Sequence, residues 1–506
     1  MNEVLAELVN PSVVTAMFVG VVAGMIAGAL PGLTATMAVA LLVPYTFGWH
    51  SDIAGLMILV GVYVGTMYGG AVPAILIHTP GTPAAAATCF DGYPLSRQGK
   101  AGLALGISCI TSVVGGLFSA AVLILVGPAL AEQALKISPA DYFAVTVLGL
   151  SVIAGVAGKS LLKGLIMGAL GVLAATVGQD PAQAFPRFTF GSDYLLDGLS
   201  FIPVMIGVFA IAEALHQVSE TWRGSEVAQA IGRVLPSWEE LKRITPATML
   251  ANVIGTVVGA IPGAGGDIAS FISYDQAKRV SREPEKFGEG SIEGLAAAEC
   301  ANNSITGGAM IPMLTLGIPG DSVTAVLLAA MYIHNLRPGP LLFSQHADKV
   351  GAIFVGLVVA NLVVLPLGLL GAKPLARIVT IPRHILWPLV VVLCVVGSYA
   401  LNNSFFDVWL TLGAGVFGYG MKRLGFPPGP LVLGLILGPL AEEKLTTALQ
   451  ISRGQVGVLW QSPLSIGIYA VTALLLLATA LSRRQPRSTA TPSADATDND
   501  KETEPE

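Results

Sequence analysis

The chain has 506 residues, of which 53% are hydrophobic and 12% are charged, and its formal net charge is -5. About a quarter of the residues in an average soluble protein are charged, so this composition excludes an ordinary soluble domain. Six long stretches contain no Asp, Glu, Lys or Arg: residues 8–51, 53–90, 101–131, 350–372, 384–406 and 454–482. Because a helix needs about 20 apolar residues to cross a bilayer, we predict an all-α polytopic membrane protein with roughly 10–12 transmembrane segments.

The two ends of the chain differ in character. Glu3 and Glu7 precede a long apolar run and no basic region comes before it, so we expect no cleavable signal peptide. Residues 483–506 are polar and low in complexity, and residues 486–506 hold six acidic and two basic residues. We expect this acidic tail to be disordered.

The first apolar stretches contain residues that break helices. Pro31 and Gly32 interrupt the first run, and Thr34 or Thr36 can cap the helix that follows. In residues 53–90, one span of about 20 residues takes the chain to roughly residue 72. The remainder contains three prolines in GGAVPAILIHTPGTP (69–83), which favours a re-entrant hairpin with Thr82 as the next N-cap.

Both broken phrases recur later in the chain. VIGTVVGAIPGAGGDIAS (253–270) matches VAGMIAGALPGLTATMAV (22–39) at a constant offset of 231. GGAMIPMLTLGIPGDS (307–322) then repeats the second phrase, with Gly307-Gly308-Ala309 aligned on Gly69-Gly70-Ala71 and one residue inserted before the next proline. We therefore predict two repeats, in which the glycines spaced as GxxxG pack helices closely.

The predicted organisation has five parts. They are a first repeat (1–130, motifs at 28–36 and 69–83), connecting transmembrane segments with a basic linker (131–244), a second repeat (245–372, motifs at 259–267 and 302–322), C-terminal transmembrane segments (373–482) and the tail (483–506). Basic residues follow the first motif only in copy two, and Arg97 and Lys100 follow the second motif of copy one. Since positive loops stay cytoplasmic, this asymmetry predicts inverted repeats.

The broken segments are the predicted binding site, because irregular backbone inside a membrane persists only in protein or beside a wet cavity. Helix N-termini presented there suit an anion such as a carboxylate. The predicted substrate contacts are Pro31, Gly32, Thr34, Thr36, Thr79, Pro80, Gly81, Thr82, Gly263, Gly265, Gly266, Asn302, Asn303, Pro319, Gly320, Asp321 and Ser322. The predicted cation ligands are Asp267, Asn303 and Asp321, although both aspartates also suit a plain N-cap. For His78, a hydrogen-bonded structural role is favoured over proton transfer.

Enzyme motifs and metal clusters are not indicated. GVAGKS (155–160) lacks the first glycine of a phosphate-binding loop, because that position is Ile153. AGGD (264–267) departs from the aspartyl-protease pattern at Ala264. The four cysteines form no CxxC pair and are expected to be small buried residues. We expect neither an enzyme nor a cofactor.

The chain closely resembles the large membrane subunit of tripartite tricarboxylate transporters, the TctA family. Four phrases carry the resemblance: GALPGLTATMAVALLVPYTF, YGGAVPAILIHTPGTPAAAATCFDGYP, GAIPGAGGDIASFISYDQAKR and ECANNSITGGAMIPMLTLGIPGDSVTAVLL. The resemblance implies uptake of citrate or another di- or tricarboxylate across a bacterial inner membrane, coupled to Na⁺ or H⁺. It also implies a small four-helix membrane partner and a periplasmic substrate-binding protein. The alternatives are a stand-alone carboxylate symporter or exchanger that needs no binding protein, and a channel or membrane scaffold.

Overall fold

The computed structural model describes residues 10–48, 52–151, 160–180, 185–219, 231–262, 265–379, 381 and 383–482. Gly263 and the predicted tail lie outside these residues, and in the segment 265–267 only the backbone is described.

The first predicted repeat forms six α-helices within the described residues. They are α1 (Pro11–Ala29), α2 (Ala35–Leu42), α3 (Asp52–Gly69), α4 (Ala71–Ile77), α5 (Thr88–Leu95) and α6 (Ala101–Ala134). Short 3₁₀ turns follow α2 (Val43–Gly48) and precede α5 (Pro83–Ala86). A kink at Ser96–Lys100, where Gly99 has φ 77°, joins α5 to α6.

The connecting region holds the strands that the structure describes. Its elements are α7 (Pro139–Ser151), α8 (Leu161–Ala175), the antiparallel pair β1 (Gly178–Gln179) and β2 (Pro186–Arg187), a 3₁₀ turn (Asp193–Leu195), α9 (Phe201–Met205), a π turn (Ile206–Ile211) and α10 (Ala212–Ser219).

The second predicted repeat and the C-terminal region complete the helical bundle. Copy two contains α11 (Trp238–Ala260), α12 (Gly265–Val280), a 3₁₀ turn (Pro284–Lys286), α13 (Ile292–Leu316), α14 (Ser322–Ile333), α15 (Leu342–Gln345) and α16 (Ala347–Leu370). After it come α17 (Ala372–Ile378), α18 (Arg383–Asn402), α19 (Phe405–Arg423), α20 (Pro428–Ile451), a 3₁₀ turn (Val456–Trp460) and α21 (Pro463–Ser482).

The helices have the length and composition of membrane spans. Among the described residues, six segments are long and apolar enough to cross a bilayer: Pro11–Ala29, Ile53–Ile77, Thr88–Ala134, Phe201–Val218, Ala347–Leu370 and Ile385–Asn402. Four shorter apolar helices accompany them, at Ala35–Thr46, Leu161–Ala175, Ser322–Ile333 and Pro463–Leu474. The predicted all-α polytopic membrane protein is confirmed.

The packing of α1 on α3 recurs in the packing of α11 on α13. A β-carbon added to Gly24 would lie 2.4 Å from the carbonyl oxygen of Val62, and one added to Gly255 would lie 2.6 Å from that of Ala301. Gly255 follows Gly24 by 231 positions, and Ala301 follows Val62 by 239. Only a residue without a side chain permits this approach of two helix backbones. The predicted packing role of the GxxxG glycines is therefore confirmed.

The same contacts correct the alignment of the two copies. Gly69 lies against the carbonyl of Met25, and Gly308 lies against that of Thr256, its counterpart at the offset of 231. Gly308 is therefore the counterpart of Gly69, and the extra residue of copy two precedes this pair. The predicted alignment of Gly307 with Gly69 was wrong because it compared residue types alone, whereas the helix contacts establish which positions of the two copies correspond.

The first hairpin breaks later than predicted. Helix α4 continues through Pro73 to Ile77, since Pro73 is in the first turn, where a missing N–H costs no helix bond. The break comes at His78, whose φ is 55°, and its counterpart Gly317 has φ 70°. In each copy the next N–H bonds back across the helix end at 3.3 Å, from Thr79 to the carbonyl of Pro73 and from Ile318 to that of Pro312. His78 is exposed at this cap, with its ring against Tyr93, rather than buried in a polar network.

Candidate functional site

The first motif of copy one meets the second motif of copy two. Helix α2 packs against α14, and the hydroxyls of Thr36 and Ser322 hydrogen-bond at 2.8 Å. Thr34 caps α2 by accepting from the N–H of Met37 at 3.3 Å, as predicted. We call this meeting of residues 31–36 and 319–322 the first junction. It places the starts of two helices side by side.

Asp321 is the N-cap of α14. Its Oδ1 accepts from the N–H of Thr324 at 2.7 Å and from the hydroxyl of Thr324 at 2.6 Å. Its Oδ2 accepts from the hydroxyl of Tyr63 at 2.8 Å, so the cap is tied to helix α3 of the other copy. A carboxylate at this position also interacts favourably with the helix dipole. The predicted cap is confirmed, whereas no feature of the sequence indicated Tyr63 as its partner.

The turn at Pro31 and Gly32 faces helices outside the two repeats. Gly32 has φ 96°, a left-handed conformation that favours glycine. A β-carbon on Gly32 would lie 3.0 Å from Nε2 of Gln217 on α10 and 3.2 Å from Cζ2 of Trp387 on α18. The connecting and C-terminal regions therefore border the first junction. Neither side chain was among the predicted site residues.

The Pro80-Gly81 and Pro319-Gly320 turns pack against the GxxxG glycines. A β-carbon on Gly81 would lie 2.1 Å from the carbonyl oxygen of Gly28. One on Gly320 would lie 2.8 Å from the carbonyl oxygen of Gly259. Neither turn glycine has a positive φ. Close contact of protein with protein therefore accounts for both glycines.

The second motif of copy one contacts α12, the helix that follows the first motif of copy two. Helix α12 packs against the turn Pro83–Ala86, and we call this contact, with the adjoining segment 79–82, the second junction. Thr82 is in the N-cap position of this turn but makes no capping bond with its side chain. Its Oγ1 is buried and has no hydrogen-bond partner. Each junction therefore takes one motif from each copy.

The predicted residues of the first motif of copy two are placed only by their backbone. Helix α12 begins at Gly265, so Gly265, Gly266 and Asp267 form its first turn. Asp267 is therefore the third residue of α12 and not its N-cap, so the predicted N-cap position was wrong. Asp267 occupies the register position of Thr36, which is 231 residues earlier. Gly263, also a predicted contact, lies outside the described residues.

Asn302 and Asn303 are in the interior of α13. Asn302 donates through Nδ2 to the carbonyl of Met67 at 3.3 Å, and its Oδ1 has no partner. Asn303 donates to the hydroxyl of Ser112 at 2.8 Å and to the carbonyl of Glu299 at 3.2 Å. Asn303 is thus engaged within the protein, while Asn302 keeps one oxygen unpaired.

A buried acid lies one turn before Asn303. The side chain of Glu299 is fully buried and accepts hydrogen bonds from three hydroxyls, those of Thr88, Ser108 and Ser112. The bonds from Ser108 and Ser112 measure 2.9 and 3.3 Å. A buried carboxylate needs such donors because the interior cannot solvate it. Among the described residues, no group of three or more His, Cys, Asp or Glu side chains could hold a metal ion.

One similar protein covers nearly the whole chain, and another covers less than half of it. An uncharacterized 52.8 kDa protein in the TAR-I ttuC' 3'region of Agrobacterium vitis is 39% identical over 459 residues, which are 90% of each chain. An uncharacterized protein in the TAR-II ttuC' 3'region of the same organism is 38% identical over 228 residues, 44% of this chain and 93% of the relative. The model of the tripartite tricarboxylate transporter TctA family matches residues 14–433. The chain is a multi-pass membrane protein of the TctA transporter family.

Proposed function

We propose that the chain is the large membrane subunit of a tripartite, cation-coupled secondary transporter. It imports a di- or tricarboxylate across the bacterial inner membrane, and a periplasmic binding protein delivers the substrate. A small four-helix membrane protein is the third component. Family membership supports a tricarboxylate transporter subunit, and the junctions support an anion site within it.

The observation that carries the proposal is the first junction. The starts of α2 and α14 lie beside each other, and their facing hydroxyls belong to Thr36 and Ser322. The first turn of a helix has N–H groups without partners inside the helix, and its positive end favours an anion. A substrate carboxylate would take hydrogen bonds from the first-turn N–H groups that Thr34 and Asp321 do not cap, and from the hydroxyl that accepts in the Thr36–Ser322 bond.

The charge of Asp321 supports coupling to a cation. This carboxylate is part of the first junction and is mostly buried. A multiply charged anion entering beside it would be repelled unless a cation accompanied it. Entry into a negative-inside cell also costs about 2.3 kcal/mol per charge per 100 mV, which co-transported cations offset. In this proposal the protein supplies sites for both ions and carries out no chemical reaction.

Uptake measurements test the proposal. The chain is produced with its two partners in cells without citrate uptake, and entry of radiolabelled citrate, with other di- and tricarboxylates as competitors, is measured with and without Na⁺ or a pH gradient. We expect saturable, cation-dependent uptake that requires all three components. Uptake that persists without the binding protein would instead identify a stand-alone carrier, and non-saturable flux would identify a channel.

Paired substitutions tie that uptake to the first junction. Thr36→Val and Ser322→Ala remove the facing hydroxyls, and we expect each to raise the half-saturating substrate concentration. Thr146→Val is the matched control for Thr36→Val, because Thr146 is also buried and its hydroxyl donates to the carbonyl of Tyr142 within its own helix. Equal uptake by the Thr36 and Thr146 variants would remove the first junction from the substrate path.

A further inference from the structure

Two unpartnered oxygens belong to Thr82, at the second junction, and to Asn302 on α13, a helix that also contacts the turn Pro83–Ala86. Thr82 is 3% exposed and Asn302 is 0% exposed, yet neither Thr82 Oγ1 nor Asn302 Oδ1 has a hydrogen-bond partner. The Asn302 amide nitrogen donates to the carbonyl of Met67, so its oxygen must face another direction. Buried polar atoms are almost always paired, and an unpaired one in a membrane interior calls for an explanation.

Both side chains contact the same turn of one helix segment. Asn302 is bonded to the carbonyl of Met67, and a β-carbon added to Gly70 would lie 2.8 Å from Thr82 Oγ1. Residues three positions apart are on the same face of a helix, and a helical carbonyl points toward the following turn. Asn302 and Thr82 therefore both contact the Met67–Gly70 turn at the end of α3.

The corresponding pair at the first junction is closed by a hydrogen bond. Asn302 follows Tyr63 by 239 positions, and Asp321 follows Thr82 by 239, the offset that the helix contacts establish. Tyr63 donates to Asp321 at 2.8 Å. At the second junction the shorter Asn302 replaces the tyrosine and Thr82 replaces the aspartate. The hydrogen bond of the first junction has no equivalent here, and both oxygens are left without a partner.

We propose that Thr82 Oγ1 and Asn302 Oδ1 are ligands of a sodium ion bound at the second junction. The proposal rests on the proposed function, in which a cation accompanies the substrate. Hard cations take oxygen ligands, and broken transporter helices supply backbone carbonyls that complete such sites. A threonine hydroxyl and an amide oxygen have no proton-binding equilibrium near neutral pH. These ligands therefore suit a metal ion and not a proton.

Binding of the ion alone tests the site. The purified full-length chain is titrated with radioactive Na⁺ by scintillation proximity, without carboxylate, with Li⁺ and K⁺ as competitors. We expect saturable Na⁺ binding, a loss of about tenfold or more in affinity for Thr82→Val and Asn302→Ala, and retention in Thr82→Ser. Thr146→Val makes the same change at a hydroxyl paired within its helix and should bind like the unmodified chain.

The results separate this site from the transport function. No saturable Na⁺ binding by the unmodified chain, or equal binding by Thr82→Val, would overturn the proposal and leave a water molecule as the occupant. If Thr82→Val is not monodisperse on size exclusion, the Na⁺ affinities of Thr82→Ser and Asn302→Ala are compared instead. Equal Na⁺ affinity in these two variants would also refute the site. Na⁺-dependent citrate uptake together with unchanged Na⁺ binding in the variants would support the proposed transport function and show that the sodium site is formed by other residues.

Discussion

The bond between Tyr63 and Asp321 should make these two residues energetically coupled. Asp321→Ala removes the N-cap of α14, which costs about 0.5–2 kcal/mol, and leaves the buried Tyr63 hydroxyl unpaired, which costs about 1–3 kcal/mol more. We therefore expect Asp321→Ala to lower the free energy of unfolding by about 1.5–5 kcal/mol. Tyr63→Phe alone leaves an oxygen of Asp321 without its donor.

The double variant measures the coupling. Once Asp321 is absent, removing the Tyr63 hydroxyl no longer breaks a bond, so Tyr63→Phe/Asp321→Ala should be more stable than the sum of the single losses predicts, by about 1–3 kcal/mol. The assay is reversible denaturant unfolding in detergent micelles, followed by tryptophan fluorescence. Asp321→Asn is the control and should lose less than Asp321→Ala, because Asn caps helices about as well as Asp. Additive losses within about 0.5 kcal/mol would refute the coupling.

Three further predictions concern other parts of the fold. Cysteines placed at Ser51 and Ser281 should be labelled from opposite sides of the membrane, and labelling of both from one side would exclude inverted repeats. Gly81→Val and Gly320→Val should abolish citrate uptake and lower the melting temperature, because each side chain would overlap a neighbouring backbone; near-normal uptake and melting would contradict this packing. Asp267→Asn should weaken the dependence of uptake on external Na⁺ or H⁺ more than it lowers protein yield, and an unchanged dependence would leave Asp267 with a structural role.

Features set by local chemistry could be predicted from the sequence. The helix breaks at both Pro-Gly phrases, the caps at Thr34 and Asp321, and the close glycine contacts of α1 and α11 each depend on a few adjacent residues. The end of the first hairpin was misplaced by the same kind of reasoning. Pro73 was counted as a helix breaker, but α4 begins at Ala71, which puts Pro73 in a first turn, where proline is tolerated.

The pairing of a motif from one copy with a motif from the other, at the first and second junctions, could not be derived from the sequence. Nothing adjacent to Thr36 indicates that its hydroxyl meets Ser322, since the two are 286 positions apart. The sequence around Tyr63 indicates only a membrane span, whereas the structure shows its contact with Asp321. The one-residue error in the repeat alignment has the same origin, because only packed helices show which glycine faces which carbonyl.

The contacts between the two halves of the chain at the first junction also bear on how the chain is made. Thr36 and Tyr63 enter the membrane early in synthesis, while their partners Ser322 and Asp321 emerge 286 and 258 residues later. Until then the hydroxyls of the first half have no partner from the second half, a costly state in hydrocarbon. The first half of a nascent chain should therefore depend on provisional partners, such as water or an insertase groove. A polypeptide stopped in the linker would expose these hydroxyls to quality-control proteases.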